Sequence, residues 1–330
     1  MKFRPPPNLR YIATSTIPSQ NPPVPPRMSP LPILSPPTLP SFRDSYFNPA
    51  LPCMFPPSHF TSTLPAIAQW FIPHPKYPHL QVPNTQFFHK TLGDRINALL
   101  LMEVSLHSKG KFLQIHAPFA KLLEDISFAG PRDRSITTYL AQCSINEIPE
   151  LKDTLPTPQY IHAAKGDVYN VNLWMGHAAL IVTPLHKDPN PNLFVQLAGT
   201  KRVRMFEPDT GQGIMQEFGG GIKRFRMPDE MMEGKYRGMV EKVVWGEGEA
   251  GDGVSGFEAT VGPGDGLFIP KGWWHAIRSV GEEGAVASVS PLPPSGGITR
   301  ILNSDTDGGV GELVVQVTYG MTSLGNDPEL

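Results

Sequence analysis

Cysteine is scarce in this chain of 330 residues: Cys53 and Cys143 are the two present. So few thiols exclude a disulfide framework, and their separation matches no paired metal-ligand spacing, so both read as buried free thiols of a reducing compartment. Long apolar runs are missing as well. No window approaches the roughly 18 consecutive apolar residues of a membrane helix, and no secretory leader pattern is read at the start. The third absence is an excess of charge of one sign. With 28 basic and 30 acidic residues, a net charge of -2 and no long run of either sign, the chain lacks the footprint of general nucleic-acid binding. Composition leaves a nucleic-acid substrate unsupported rather than excluded. The expectation is an intracellular globular protein, cytoplasmic or nuclear, with no membrane partner.

Proline is plentiful instead, with 38 in the chain, densest in "RPPPNLR" and "NPPVPPRMSPLPILSPPTLP". Residues 1–38 are therefore expected to form an extended, disordered arm, because that density permits neither a helix nor a central strand. Lys2, Arg4, Arg10 and Arg27 precede the first acidic residue, Asp44, which hints at a mitochondrial leader. The prolines oppose it, since such leaders act as amphipathic helices.

From Ser41 the texture becomes globular. "LGDRINALLLMEVSL" and "FAKLLEDI" have helical apolar spacing. After Tyr169 the pattern shifts to short runs such as "YNVNLWMG", "NLFVQLAG", "KRVRMFEP" and "GLFIP" between turn residues, which predicts a β-sandwich or jelly roll. A Gly-, Met- and charge-rich insert over residues 209–261 reads as a surface excursion that shapes a substrate entrance. Residues 291–330 read as an atypical, poorly ordered tail, because Pro291, Pro293 and Pro294 cannot continue a central strand.

Candidate chemistry lies in the strand-rich half. His186 and Asp188 are two apart on a strand, so they share a face, and Pro189 ends that strand. A lone H-x-D pair means little in a chain with 10 histidines. Further along, Lys201, Val203 and Met205 alternate with Arg202, Arg204 and Phe206, which turns Lys201 inward with the apolar set and the two arginines outward. An inward ammonium needs an anion. A neighbouring carboxylate, a side chain that reaches out to water at the strand end, or an anionic ligand would each serve. No Asp or Glu holds an inward position on these two strands, which favours the ligand. Downstream, "PGDGLFIPKGWWHAIRSV" puts Trp273, His275 and Ile277 on one face. Two imidazoles and one carboxylate on one side of a metal leave open positions, the pattern of non-haem Fe(II) oxygenases.

"TPLHKDPNPNLFVQLAGTKRVRMFEP" followed by "PGDGLFIPKGWWH" resembles the JmjC, or cupin-like, 2-oxoglutarate oxygenases, in particular the small JmjC-only hydroxylases of the hypoxia-pathway asparaginyl hydroxylase and lysine demethylase 8 type. The similarity continues through "NLWMG" and "YLAQCSINEIPELKDTLP", covering roughly residues 40 to 290. The resemblance implies a mainly β fold, a double-stranded β-helix (jelly roll) over residues 39–290 with helices packed from the N-terminal half. It implies that His186, Asp188 and His275 bind Fe(II), and that Thr183, Asn192, Lys201 and Tyr139 hold 2-oxoglutarate, with Lys201 on its distal carboxylate. It implies that Trp174 and Gln142 line the substrate pocket. The implied reaction uses O2 and 2-oxoglutarate, releases succinate and CO2, and hydroxylates a protein side chain or demethylates an N-methyl group. A tRNA-base hydroxylase and a catalytically inactive metal-binding interaction protein remain as alternatives. Lys187 points away from the metal by alternation and receives no catalytic role.

Overall fold

A computed structural model of the chain describes residues 27–78, 80–106, 111–127, 136–164, 168–177, 182–218, 235–246, 254–280 and 313–321. The strands are β1 (Arg27–Pro30), β2 (Cys53–Met54), β3 (Phe71–Pro73), β4 (Gln81–Pro83), β5 (Leu99–Leu106), β6 (Lys111–Pro118), β7 (Ile136–Ser144) and β8 (Val168–His177). They continue with β9 (Val182–Lys187), β10 (Asn192–Ala198), β11 (Lys201–Phe206), β12 (Ser255–Val261), β13 (Gly266–Ile269), β14 (Trp274–Ser279) and β15 (Leu313–Met321). The helices are α1 (Leu39–Phe42), α2 (Ala66–Gln69), α3 (Thr85–Leu92), α4 (Phe119–Ser127), α5 (Pro208–Phe218) and α6 (Lys235–Trp245). Among the described residues no helix is long and apolar enough to cross a membrane.

Two sheets make the jelly roll. One runs β2-β13-β10-β15-β8-β7-β5-β6 and the other β1-β12-β11-β14-β9, with β3 and β4 paired apart. Phe194, Leu267 and Ile269 of the first sheet meet Val203, Met205, Val261 and Ile277 of the second in the core between them. The outer face of the large sheet is covered by the N-terminal helices: Phe42, Ile67, Phe88 and Leu122 pack there with Leu193, Val195 and Leu197. β10 is buried on both faces, which is why its sequence reads as a nearly continuous apolar run.

The structure departs from the sequence-based expectation in several places. "LGDRINALLLMEVSL" is not one helix: Leu99–Leu106 is β5. A short Leu-rich run fits either period, and here Leu100, Met102 and Val104 bury one face of a strand. Within the stretch expected to be a disordered arm, β1 pairs parallel with β12, and Leu31 and Leu34 are buried. Its prolines are tolerated because β1 is an edge strand. Residues 1–26 lie outside the described residues. The insert contributes α5, α6 and β12, a partner of β11, rather than a loop. Inside the expected tail, β15 pairs with both β10 and β8, so the large sheet is continuous through it. "LVVQVTY" has the β-branched content a strand favours. Pro291, Pro293 and Pro294 lie outside the described residues.

The face on which Arg202 and Arg204 project is not open to water either, for α5 and α6 cover that side of the small sheet. Arg204 is buried, with Nε donating to Glu258 Oε2 at 2.6 Å, Nη1 donating to the Val244 carbonyl at 2.7 Å, and its guanidinium 5.1 Å from the Trp245 ring. Arg204→Ala is expected to cost about 2 kcal/mol, since it leaves the part-exposed Glu258 with only the longer 3.7 Å contact to Arg202 and frees the end of α6. Urea unfolding checks this. Arg204→Lys should recover only part, because an ammonium lacks the planar fork that serves both acceptors.

Candidate metal centre

β9 and β14 are antiparallel neighbours in a register that sets His186 opposite His275 and Lys187 opposite Trp274. The two imidazoles therefore meet across the strand pair, with ring centroids 4.1 Å apart. Asp188 follows the last residue of β9 and turns its carboxylate between them. His186 Nε2 stands 3.8 Å from Asp188 Oδ1, and His275 Nε2 stands 3.5 Å from Asp188 Oδ2. All three donor atoms lie within 4.8 Å of one another. Among the described residues, this is the cluster of His, Cys, Asp or Glu side chains able to hold a metal ion.

Backbone carbonyls orient both rings. His186 Nδ1 is 2.8 Å from the Pro184 carbonyl and His275 Nδ1 is 3.3 Å from that of Trp273. A carbonyl only accepts, so each neutral ring carries its proton on Nδ1 and aims the Nε2 lone pair inward. Burial, the largest influence, lowers the pKa of His186 and drops that of His275 well below the usual value; the neighbouring His186 adds to the drop at His275. Burial holds Asp188 well above the usual carboxylate range, partly offset by the Asn192 amide, whose Nδ2 donates to Asp188 Oδ2.

Asp188 Oδ1, His275 Nε2 and Asn192 Oδ1 are buried without a hydrogen-bond partner. Leaving lone pairs dry is costly, and a divalent cation would satisfy the ligand atoms at once. Two imidazoles and one carboxylate that converge within 4.8 Å are a donor set that suits non-haem Fe(II).

The other sequence-derived residues surround this cluster. Thr183 sits opposite Ile277, and Lys201 opposite Ser279. Ile277 and Ser279 are two apart on β14, so Thr183 and Lys201 flank that strand on its inward side. Lys201 is fully buried, with Nζ 5.3 Å from the Phe194 ring centroid, and burial pushes its pKa well down. Asn192 opens β10, fully buried. Across the jelly roll, Tyr139 and Trp174 are buried with ring centroids 5.9 Å apart. Tyr139 lies over Gly176, where a Cβ would come within 2.5 Å of the ring, so glycine is required there. Gln142 occupies a one-residue bulge of β7 against β8, with φ at +54°.

The sequence reading passed over Glu103, Asn172 and Gln196, all buried. Glu103 sits opposite Tyr139, Asn172 is two residues from Trp174, and Gln196 donates through Nε2 to the Ala198 carbonyl at 2.5 Å. The signal that could have found them is the one that found Lys201: a polar residue at an inward position of an apolar strand. A surface cleft of about 420 Å³ around Thr85, His89, Ala120 and Leu123 shares no residue with the centre.

A family model of the cupin-like domain matches residues 103–290. The chain is 31% identical over 145 residues to lysine-specific demethylase 8 of Xenopus tropicalis, covering 43% of this chain and 30% of that protein. It is 28% identical over 144 residues to lysine-specific demethylase JMJ30 of Arabidopsis thaliana, covering 43% and 31%. JmjC domain-containing protein D of Dictyostelium discoideum is 23% identical over 270 residues, covering 76% and 54%. The match thus spans about a third of the length of the two demethylases and about half of the Dictyostelium protein.

Proposed function

Because this chain belongs to the cupin-like, JmjC-type domain family, we propose that it is an Fe(II)- and 2-oxoglutarate-dependent oxygenase that acts on a protein side chain. The observation that carries the reading is the His186, Asp188, His275 cluster, whose inward lone pairs are buried without hydrogen-bond partners at Asp188 and His275. Bound Fe(II), with 2-oxoglutarate and O2, supplies oxidation of a C–H bond together with release of succinate and CO2.

This chain's own residues do the positioning. His186 Nε2, His275 Nε2 and an Asp188 oxygen would hold the ion, while Asn192 fixes the carboxylate rotamer. Lys201 would pair with the distal carboxylate of 2-oxoglutarate, and Thr183, on the same inward surface, would hydrogen-bond that end. Tyr139 would reach the same co-substrate from the opposite sheet. Trp174 and Gln142 would line the approach of the substrate. The apolar core between the sheets, with Phe194, Val203 and Ile277, would keep water from the site. The protein substrate is supported by the names of the two relatives as lysine-specific demethylases; hydroxylation of a C–H bond next to nitrogen would give demethylation from the same geometry. We place the catalytic domain at residues 39–290, completed by β15.

Burial raises the pKa of Asp188, so metal binding competes with a proton there, whereas the lowered pKa values of the imidazoles disfavour such competition at His186 and His275. Affinity for Fe(II) is therefore expected to rise with pH, by up to about tenfold per unit, until Asp188 ionises in the metal-free protein, and then to level off. Anaerobic titration with Fe(II) and 2-oxoglutarate, following the visible band of the chelate across pH, measures it. A folded protein that gives no band at any pH would sink the oxygenase reading in favour of an inactive interaction protein.

A further inference from the structure

The triad occupies one face of the β9–β14 pair, and the opposite face carries side chains that the proposed chemistry leaves unused. Lys187 lies between His186 and Asp188, and Trp274 immediately precedes His275. The two are direct cross-strand partners, with Lys187 Nζ 5.1 Å from the indole centroid. Alternation turns both away from the imidazoles, onto the side covered by α5 and α6. There the indole is buried among Leu185, Phe206, Ile214 and Val240. Gly211 of α5 presses against it, and a Cβ at that position would collide with the ring. Glycine inside a helix is conformationally costly, so this one has a packing reason.

Lys187 is the last residue of β9. Asp188 stands beyond the strand, followed by a proline that cannot donate to a ladder. The contact between Lys187 and Trp274 is thus the final cross-strand tie before the carboxylate. An ammonium is attracted to the face of an indole, more strongly where water is excluded.

We propose that Lys187 and Trp274 form a positioning pair for the metal centre, clamping the His186–Asp188 segment to β14 from behind through a cation–π contact for which Gly211 leaves room. The role rests on the metal-centre reading above. Groups that orient ligands without touching the ion set metal affinity. The pair acts through the geometry of Asp188 and the two imidazoles, and makes no contact with the reacting atoms.

Co(II) titration of the metal-free full-length protein, read by the visible absorption of the bound ion, tests it. Lys187→Met and Trp274→Leu are each expected to weaken Co(II) binding about tenfold. Lys187→Arg should bind as the wild type does, because a guanidinium also stacks on an indole. The double variant should be no weaker than either single one, since both changes remove the same contact. Wild-type affinity in Lys187→Met overturns the proposal, and so does a double variant in which the two losses add. If Trp274→Leu does not fold, the comparison of Lys187→Met with Lys187→Arg decides alone: rescue by arginine supports the pair, and equal loss in both overturns it. A folded wild type that takes up no Co(II) overturns the metal-centre reading and this role with it.

Discussion

His186→Ala is expected to bind Fe(II) at least about 100-fold more weakly than the wild-type protein and to give no visible chelate band with 2-oxoglutarate. Loss of a group that merely orients a ligand costs about 10- to 100-fold in metal affinity, so loss of a ligand itself should cost no less. The substitution leaves one imidazole and one carboxylate, too few to hold the ion from one side. Metal-free stability provides the control. The nearest carboxylate oxygen to His186 Nε2 is 3.8 Å away, too far for a hydrogen bond, so without metal that nitrogen contributes little to the fold. The metal-free variant loses the hydrogen bond to the Pro184 carbonyl and the ring contact with His275, a cost of about 1 kcal/mol or more, and Fe(II) should raise the unfolding midpoint of the wild type alone. A variant that retains the band would remove His186 from the ligand set.

Lys201→Met is expected to lower 2-oxoglutarate affinity by about 100-fold or more while leaving Fe(II) affinity near wild type. Breaking a buried charge pair costs several kcal/mol, and each 1.4 kcal/mol is a factor of ten. The same variant separates the two costs of the buried ammonium. In the metal-free protein, burial puts the folded pKa of Lys201 well below that of the unfolded chain. Between those two values the unfolded state holds a proton that the folded state has lost, so wild-type stability rises with pH across that window. Below the folded pKa the full cost is present. Lys201→Met has no proton to exchange, so the corresponding slope should vanish and the metal-free protein should gain stability at neutral pH. Chemical unfolding at stepped pH, paired with calorimetric titration of 2-oxoglutarate, reads both effects. Undiminished co-substrate affinity would mean that another group takes the distal carboxylate.

The residues most legible in the sequence were those whose placement follows from local alternation. Lys201 in step with Val203 and Met205, and His275 in step with Ile277, follow from the two-residue repeat of a strand, whereas Asp188, expected on the strand of His186, stands one residue past its end. The misreadings arose where local pattern was ambiguous or diluted. β5 has too many leucines to distinguish a strand from a helix. β12 and β15 lie in Gly-rich stretches, and α5 contains Gly211 and Gly213, which depress helix propensity. Glycine weighs against regular structure in any local reading, yet Gly211 and Gly176 stand where a neighbouring ring leaves no space for a Cβ.

Thr183 marks the boundary between the two kinds of information. It lies three residues before His186, so alternation alone would turn it to the other face. The pairing of β9 with β14 contains a one-residue bulge, in which Pro184 and Leu185 together oppose Ala276, and this returns Thr183 to the inward side. By itself the sequence determined the chemical types of the triad and the facing of His186, His275 and Lys201, because a strand's repeat is set by its own backbone. The tertiary structure alone decided that His275 comes opposite His186, that the bulge re-aims Thr183, that β15 joins β10 to β8, and that Arg204 is buried under α6. Each of these depends on pairing or packing between segments far apart in the chain, and no local periodicity carries that information.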